Sequence, residues 1–254
     1  MASPLQKDEA NMSHGIWAAA SGATAQITMV DVIANNAANA MTPGFRADQA
    51  LFREVLDRAQ VGKPNATVRM TRVDGVAPDM TVGQLKYTGN PMDVSINGKG
   101  FFAVRTASGE MYTRAGNLKI DASGQIVSSR GDAFLSTTRE PLRVDPSASD
   151  VRIGKDGAIL VNGEDSGQRL LVVDLEQTPG VVKEGACYLK VAGGARPGAI
   201  EGNLEPESIE LSNAPPVKSM TGLVTASRHF DMMDRVIQAF SEIDRKAAEE
   251  IARR

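Results

Sequence analysis

Two histidines, His14 and His229, and one cysteine, Cys187, are the side chains best suited to nucleophilic, acid–base or metal chemistry in this chain. Such chemistry needs a nucleophile, a base and an orienting group within reach, or several ligands at fixed spacing. His14 and His229 lie in opposite terminal segments, and neither has a partner at metal-ligand spacing. Cys187 sits in the apolar run Ala186-Cys187-Tyr188-Leu189, the setting of a small buried hydrophobe. A lone cysteine also excludes an intramolecular disulfide and a thiolate metal cage. Gly98-Lys99-Gly100 has the Gly-x-Gly spacing of a phosphate-cradling loop. The strand-like Phe101-Phe102 follows it, however, where a helix N-terminus would have to hold the anion. Arg130-Gly131-Asp132 matches an adhesive tripeptide, a pattern short enough to recur by chance, and it reads as a turn before Ala133-Phe134-Leu135. Asp121-Ala122-Ser123-Gly124 is too short for a calcium loop, and Asp31 reads as a solvated carboxylate on a helix. No catalytic residue, cofactor or metal is therefore expected, and no enzyme.

Composition narrows the partners. The net charge of −3 comes without a basic block, so nucleic acid is not expected. Aromatic content is only 4% while Gly, Ala and Val are plentiful, which favours thin, closely approached elements over a bulky core. No stretch has the length of a membrane helix. Residues Met1 to Ser13 are polar and lack the charged-then-apolar order of a secretory signal, which leaves the cytoplasm or an export route without a cleaved signal.

With no chemistry to position, the informative elements are those at the ends. From Ile16 the apolar positions alternate at spacings of four and three through Ala20, Ala23, Ile27, Val30, Ala34, Ala37 and Met41. This is the 3.5-residue repeat of a coiled-coil seam. Half of its members are Ala, so the helix admits a close neighbour but buries little alone. Leu223, Ala226, Phe230, Met233, Ile237, Phe240, Asp244, Ala247 and Ile251 continue the pattern near the other end, and Val236, Ala239 and Ile243 widen the stripe. A stripe too wide for one partner suggests packing among several helices, whereas periodicity alone favours an ordinary helix pair within a single domain. Pro215-Pro216 sets the start of this second helix near Pro216 or Val217.

Between the helices, residues 85–200 read as an antiparallel β unit. Short apolar runs such as Phe101-Phe102-Ala103-Val104 and Ala158-Ile159-Leu160-Val161 recur at intervals of about ten residues. Asn97-Gly98, Ser108-Gly109, Ser123-Gly124, Asp156-Gly157 and Asn162-Gly163 mark tight turns that need positive φ. The predicted organisation is α+β. It comprises an N-terminal extension (1–13), an N-terminal helix (14–45), an extended arm or linker (46–84), the β domain (85–200), a linker (201–215) and a C-terminal helix (216–254). The two helices form a discontinuous coiled-coil domain into which the mainly antiparallel β domain is inserted.

Ser21-Gly22, Asp31-Val32-Ile33-Ala34-Asn35-Asn36-Ala37-Ala38-Asn39 and Thr42-Pro43-Gly44-Phe45-Arg46 resemble the N-terminal signature of the bacterial flagellar rod and hook proteins. Thr88-Gly89-Asn90-Pro91-Met92-Asp93-Val94, with Gly98 to Phe102, resembles the central β motif of that family. Tyr112 to Leu118 resembles its next hairpin. Gly202-Asn203-Leu204-Glu205, Ser212-Asn213 and Met220 to Phe230 are similar to its C-terminal block. Two departures stand out: Pro206 to Leu211 reads as an insertion, and Pro215-Pro216 replaces a more helix-compatible lead-in. Met12-Ser13-His14-Gly15-Ile16 resembles the usual start of such chains, so Met1 to Asn11 reads as an extension or a misassigned start.

The resemblance implies a structural subunit of the basal-body rod that assembles helically and transmits torque across the periplasm. The short β region and the charged ending Asp244 to Glu250 are most similar to the proximal rod protein. The distal rod protein is the alternative, and more remotely a ligand-binding β module oligomerised by its helices. Implied partners are further copies, other rod proteins and the flagellar type III export apparatus, with export lacking a cleaved signal. The residues expected at the assembly interface are Ile16, Ala20, Ala23, Ile27, Val30, Ala34, Asn35, Asn36 and Asn39, with Leu223, Phe230, Met233, Ile237 and Phe240 from the second helix.

Overall fold

A long helix, α1 (Pro4–Ala38), opens the chain and a second, α2 (Pro216–Ala252), closes it. The computed structural model describes residues 4–58, 67–148, 150–176 and 178–252. Side chains are described for 19–53 and from 73 onward, except 149, 177, 194, 244, 247, 248 and 250–252. The side chains of His14, Ile16, Asp244, Ala247 and Ile251 thus lie outside the described residues. Two compact units emerge, one of residues 1–37, 48–77 and 217–254, the other of 38–47 and 78–216.

The first unit holds both helices and a two-stranded ribbon, β1 (Asp48–Arg58) with β2 (Thr67–Pro78). The two strands occupy most of the stretch 46–84, and an exposed Arg53–Asp74 ion pair at 2.6 Å joins them. α1 is helical from Pro4 onward, through the residues set apart as an extension. It stops at Ala38, short of residue 45, so Met41 falls in the turn that follows and is 81% exposed. The clustered asparagines at 35, 36 and 39 are poor helix formers, and Pro43 cannot continue the ladder. Gly44 then takes φ of +69°.

α1 and α2 run antiparallel. Gln26 Nε2 donates to the Ala226 carbonyl at 3.1 Å, Gly22 lies against Met233, and Gly222 lies against Ile33. Ala25, Val32, Ser219 and Ala226 are buried in this unit. The contact is made largely through Gly and Ala, whose small side chains allow close backbone approach.

The second unit is the β domain. Its strands are β3 (Leu85–Tyr87), β4 (Val94–Ile96), β5 (Phe101–Thr106), β6 (Gly109–Thr113), β7 (Lys119–Ile120), β8 (Ile126–Val127) and β9 (Ala133–Phe134). Then come β10 (Val151–Ile153), β11 (Ala158–Val161), β12 (Glu164–Arg169), β13 (Val172–Val173), β14 (Val181–Glu184), β15 (Tyr188–Val191), β16 (Leu204–Pro206) and β17 (Ser208–Glu210). The main sheet runs β14-β15-β6-β5-β9-β8-β7, with β13 also on β5, and β10-β11-β12 form a separate meander. The pairings of these strands are all antiparallel, and with the two helices they make the fold α+β.

β5 is buried on both faces. Phe102 and Val104 enter a core with Ile96, Ile126, Phe134, Leu142, Ile159 and Leu204, where the Phe102 and Phe134 rings meet edge to face at 6.0 Å. Phe101 and Ala103 point the other way, into a cluster with Tyr112, Leu135, Leu171, Val173 and Leu189. Burial on both sides explains the continuous apolar run, which an exposed-face strand would have broken by alternation.

A further boundary differs from the expected one. The stretch 201–215, expected as a linker, supplies β16 and β17, which pair with β4 and β3. The segment read as an insertion, Pro206 to Leu211, is built into the domain. The turn between the two strands places Glu207 at φ of +55°, and the Glu207 carbonyl accepts the Thr88 and Gly89 amides at 2.7 and 3.2 Å. Three-residue strands, one of them ending in a proline, give too short a pattern to be read as strands.

Candidate assembly interface

Cys187 and the turn residues that resemble binding motifs are engaged within their own domain. His229 is exposed on α2. Cys187 is partly buried with Sγ 3.6 Å from the Pro43 carbonyl, and burial pushes its thiol pKa up, away from a reactive thiolate. Gly98 and Gly100 take φ of +109° and +120° in the turn from β4 to β5, and Lys99 is ion-paired with Glu176. In the turn after β8, Asp132 accepts a hydrogen bond from the Tyr188 hydroxyl at 2.6 Å, while Arg130 lies 5.0 Å above the Tyr188 ring. The Arg-Gly-Asp side chains are thus bound to their own domain. Among the described residues no group of His, Cys, Asp or Glu could hold a metal ion.

The strongest electrostatic feature was not foreseen. Glu210, fully buried on β17, accepts Arg46 Nη1 at 2.6 Å and the Gly83 amide at 2.7 Å on Oε1, and Arg114 Nη1 at 2.9 Å on Oε2. Its backbone carbonyl accepts the Gly44 amide at 2.8 Å. Both guanidinium groups are 2% exposed and lie over the Phe101 ring, at 5.8 and 5.0 Å. Burial pushes the Arg114 guanidinium pKa down, and Glu210 opposes that shift. One carboxylate thereby ties residues 44–46 after α1, Gly83 after β2, the turn after β6, and the strand before α2. Arg46 and Glu210 are 164 residues apart, so no local pattern links them.

Two asparagines hold adjacent backbone positions. Asn213 Oδ1 accepts the Ala47 amide at 2.6 Å while its Nδ2 donates to the Asp79 and Thr81 carbonyls, each at 3.0 Å. In the helical unit, Asn36 Oδ1 accepts the Asp48 amide and its Nδ2 donates to the Asp48 carbonyl, both at 2.8 Å. Asn35 Nδ2 donates to Asp48 Oδ2 at 3.2 Å. Asn39 is part-buried in the turn after α1, where its Oδ1 accepts Thr42 Oγ1 at 3.4 Å.

The seam residues divide. Ala20, Ala23 and Val30 are half-buried, Ala34 is exposed, and Ile27 is 47% exposed. The face of α1 turned to α2 instead carries Gly22 and Ile33. On α2, Leu223, Ile237 and Phe240 are half-buried, Met233 meets Gly22, and Phe230 stays exposed. Beyond these, Val217, Met220, Val224, Met232, Val236 and Ile243 are exposed large apolar residues on the same helix. These side chains are apolar surface of α2 that α1 leaves uncovered.

Residues 16–46 match the family model for the flagella basal body rod protein, 95–161 that for the flagellar hook protein FlgE/F/G D1 domain, and 205–250 that for the flagellar basal body rod FlgEFG protein C-terminal region. The chain is 32% identical to the flagellar basal-body rod protein FlgF of Salmonella typhimurium, over 93% of this chain and 97% of that one. The chain belongs to the flagellar basal-body rod protein family. It is a structural protein of the rod and not an enzyme. It is also similar to FlgF of Caulobacter vibrioides, at 29% identity over 91% of this chain and 96% of that one. The match to the same organism's rod protein FlgG is 31% over 89% and 94%. Arg46, Arg114 and Glu210, the ionic hub, fall one in each matched segment, and all three belong to the β unit.

Proposed function

We propose that the chain is a proximal-rod subunit whose terminal helices enter a discontinuous coiled-coil domain shared with further copies and other rod proteins, transmitting torque across the periplasm. The observation that carries this reading is the apolar surface of α2 left over after α1 is packed, at Val217, Met220, Val224, Met232, Val236 and Ile243. A helix with apolar residues on more than its paired face needs further helical neighbours. The Ala-rich seam of α1, at Ala20, Ala23 and Ala34, lets such neighbours come close. Export through the flagellar type III apparatus, without a cleaved signal, is part of the same reading. The distal rod is the alternative position; relatives of both the FlgF and FlgG kinds match along most of the chain.

Ala23→Leu and Ala34→Leu test the proposal, because these side chains are half-buried and exposed in the subunit. Each is expected to leave the subunit's own unfolding unchanged while costing about 1–3 kcal/mol by overpacking in the assembly. Complete rods should then become scarcer in cells; unaltered rods and swimming would overturn the assignment. Tagging the subunit in isolated basal bodies separates the proximal from the distal position.

A further inference from the structure

We propose that Asn36 is a positioning residue that fixes the root of the β1–β2 ribbon by standing in for a neighbouring strand. At a hydrogen-bonded position of an antiparallel ladder, a residue has its N–H and its C=O taken up by one partner residue. Asp48, the first residue of β1, has both groups taken up by one side chain, that of Asn36, at 2.8 Å each. Among short side chains only Asn offers an acceptor and a donor side by side in one plane at this reach; Asp accepts only, and Ser has a single atom to offer. Asn35 adds a third bond, to the Asp48 carboxylate. These three contacts join the last turns of α1 to the strand across the turn of residues 39–47, so the ribbon leaves the helix from a set point.

The arrangement accounts for asparagines at a helix end, where they cost helix propensity. It gives Asn35 and Asn36 a task inside the subunit, so an interface between copies is not needed to explain them. The inference concerns the subunit alone and does not depend on where in the rod it sits.

Backbone hydrogen exchange of the full-length protein measures the clamp directly. Asn36→Ala removes both bonds, and the protection factor of the Asp48 amide should fall roughly fivefold to tenfold at every pH, as expected for one lost hydrogen bond. Asn36→Asp gives a sharper reading. Ionised, it sets a carboxylate oxygen against the Asp48 carbonyl; protonated, it regains one donor and one acceptor and copies the amide.

The Asp48 carboxyl is the titratable group facing position 36 from β1. Lys218 is the charged residue of α2 nearest that position in the register set by Ile33 and Gly222. In Asn36→Asp both bonds can form while the new carboxyl is protonated; once it ionises, the bond to the Asp48 carbonyl is lost and a carboxylate oxygen is set against that carbonyl. Protection across β1 in Asn36→Asp, relative to the parent at the same pH, should therefore recover on acidification, whereas in Asn36→Ala it should not. Unchanged Asp48 protection in Asn36→Ala, or a pH-independent loss in Asn36→Asp, would overturn the proposal. Rods lost with the exchange pattern intact would point to an interface role for Asn36 and would also count against it.

Discussion

Removing the Glu210 carboxylate should be among the most damaging single changes the β domain can suffer. In Glu210→Gln the shape is kept, but two guanidinium groups, each 2% exposed, lose their shared counter-ion. The amide can accept at one position only, and its NH₂ must face either Arg46 or Arg114. Arg46 Nε and Nη2 and Arg114 Nε already make no hydrogen bond among the described residues, so the donors have nowhere nearby to turn. Breaking a buried ion pair by deleting one partner costs about 3–5 kcal/mol, a large part of the roughly 5–15 kcal/mol that holds a domain folded. The net charge of the cluster sharpens the comparison. Two arginines and one glutamate leave one positive charge; deleting Glu210 leaves two, whereas Arg46→Met leaves a balanced Arg114–Glu210 pair. Glu210→Gln should therefore destabilise more than Arg46→Met, and added salt should rescue neither, because ions screen buried charges poorly. Urea unfolding of the full-length variants, with exchange at β5 and β6 amides reporting the β domain, provides the assay. A loss below about 1 kcal/mol in Glu210→Gln, or a larger loss in Arg46→Met, would refute the charge argument.

Backbone contacts make two glycines stringent and a third permissive. A Cβ at Gly116 would stand 1.6 Å from the Val94 carbonyl oxygen, and one at Gly44, with φ of +69°, 2.1 Å from the Ala115 nitrogen. Alanine at either should cost about 3 kcal/mol or more in thermal unfolding, whereas Gly131→Ala, with φ of +91° and open space around it, should cost only about 1–2 kcal/mol. Ala25→Leu, at a buried position of the helical unit, should lower the subunit's own helical stability by about 1–3 kcal/mol, read by circular dichroism on melting. The Tyr188 pKa is pushed up to about 12, by burial first and then by its hydrogen bond to Asp132. A group raised in the folded state contributes fully below its unfolded value near pH 10 and loses that contribution as pH rises towards 12. Tyr188→Phe should lower stability at neutral pH and flatten the decline between pH 10 and 12, which stability curves at both ends will check.

How much of this was legible depends on whether a local pattern carried it. The β unit announced itself through its turns: Gly98, Gly109, Gly124, Gly157 and Gly163, each the second residue of a turn pair, all take positive φ. The register of α1 was harder to read. Its repeat runs through Ala20, Ala23, Ile27, Val30 and Ala34, yet the side turned to α2 includes Gly22 and Ile33. Where Gly, Ala, Ser and Thr occupy many positions, two faces differ little in hydropathy, and periodicity alone does not choose between them.

The ionic hub was invisible for a different reason. Its members are joined only by the folded chain, and in β17 the burial pattern is inverted: Ser208 and Glu210 are buried while Ile209 between them is only partly so. In a three-residue strand there is a single alternation, which apolar periodicity reads the wrong way round. A buried glutamate can reverse that alternation only because Arg46, Arg114 and the Gly83 amide are already there to receive it. The identity of the inward face was thus decided by residues from three other parts of the chain, and no window on Ser208 to Glu210 contains that information.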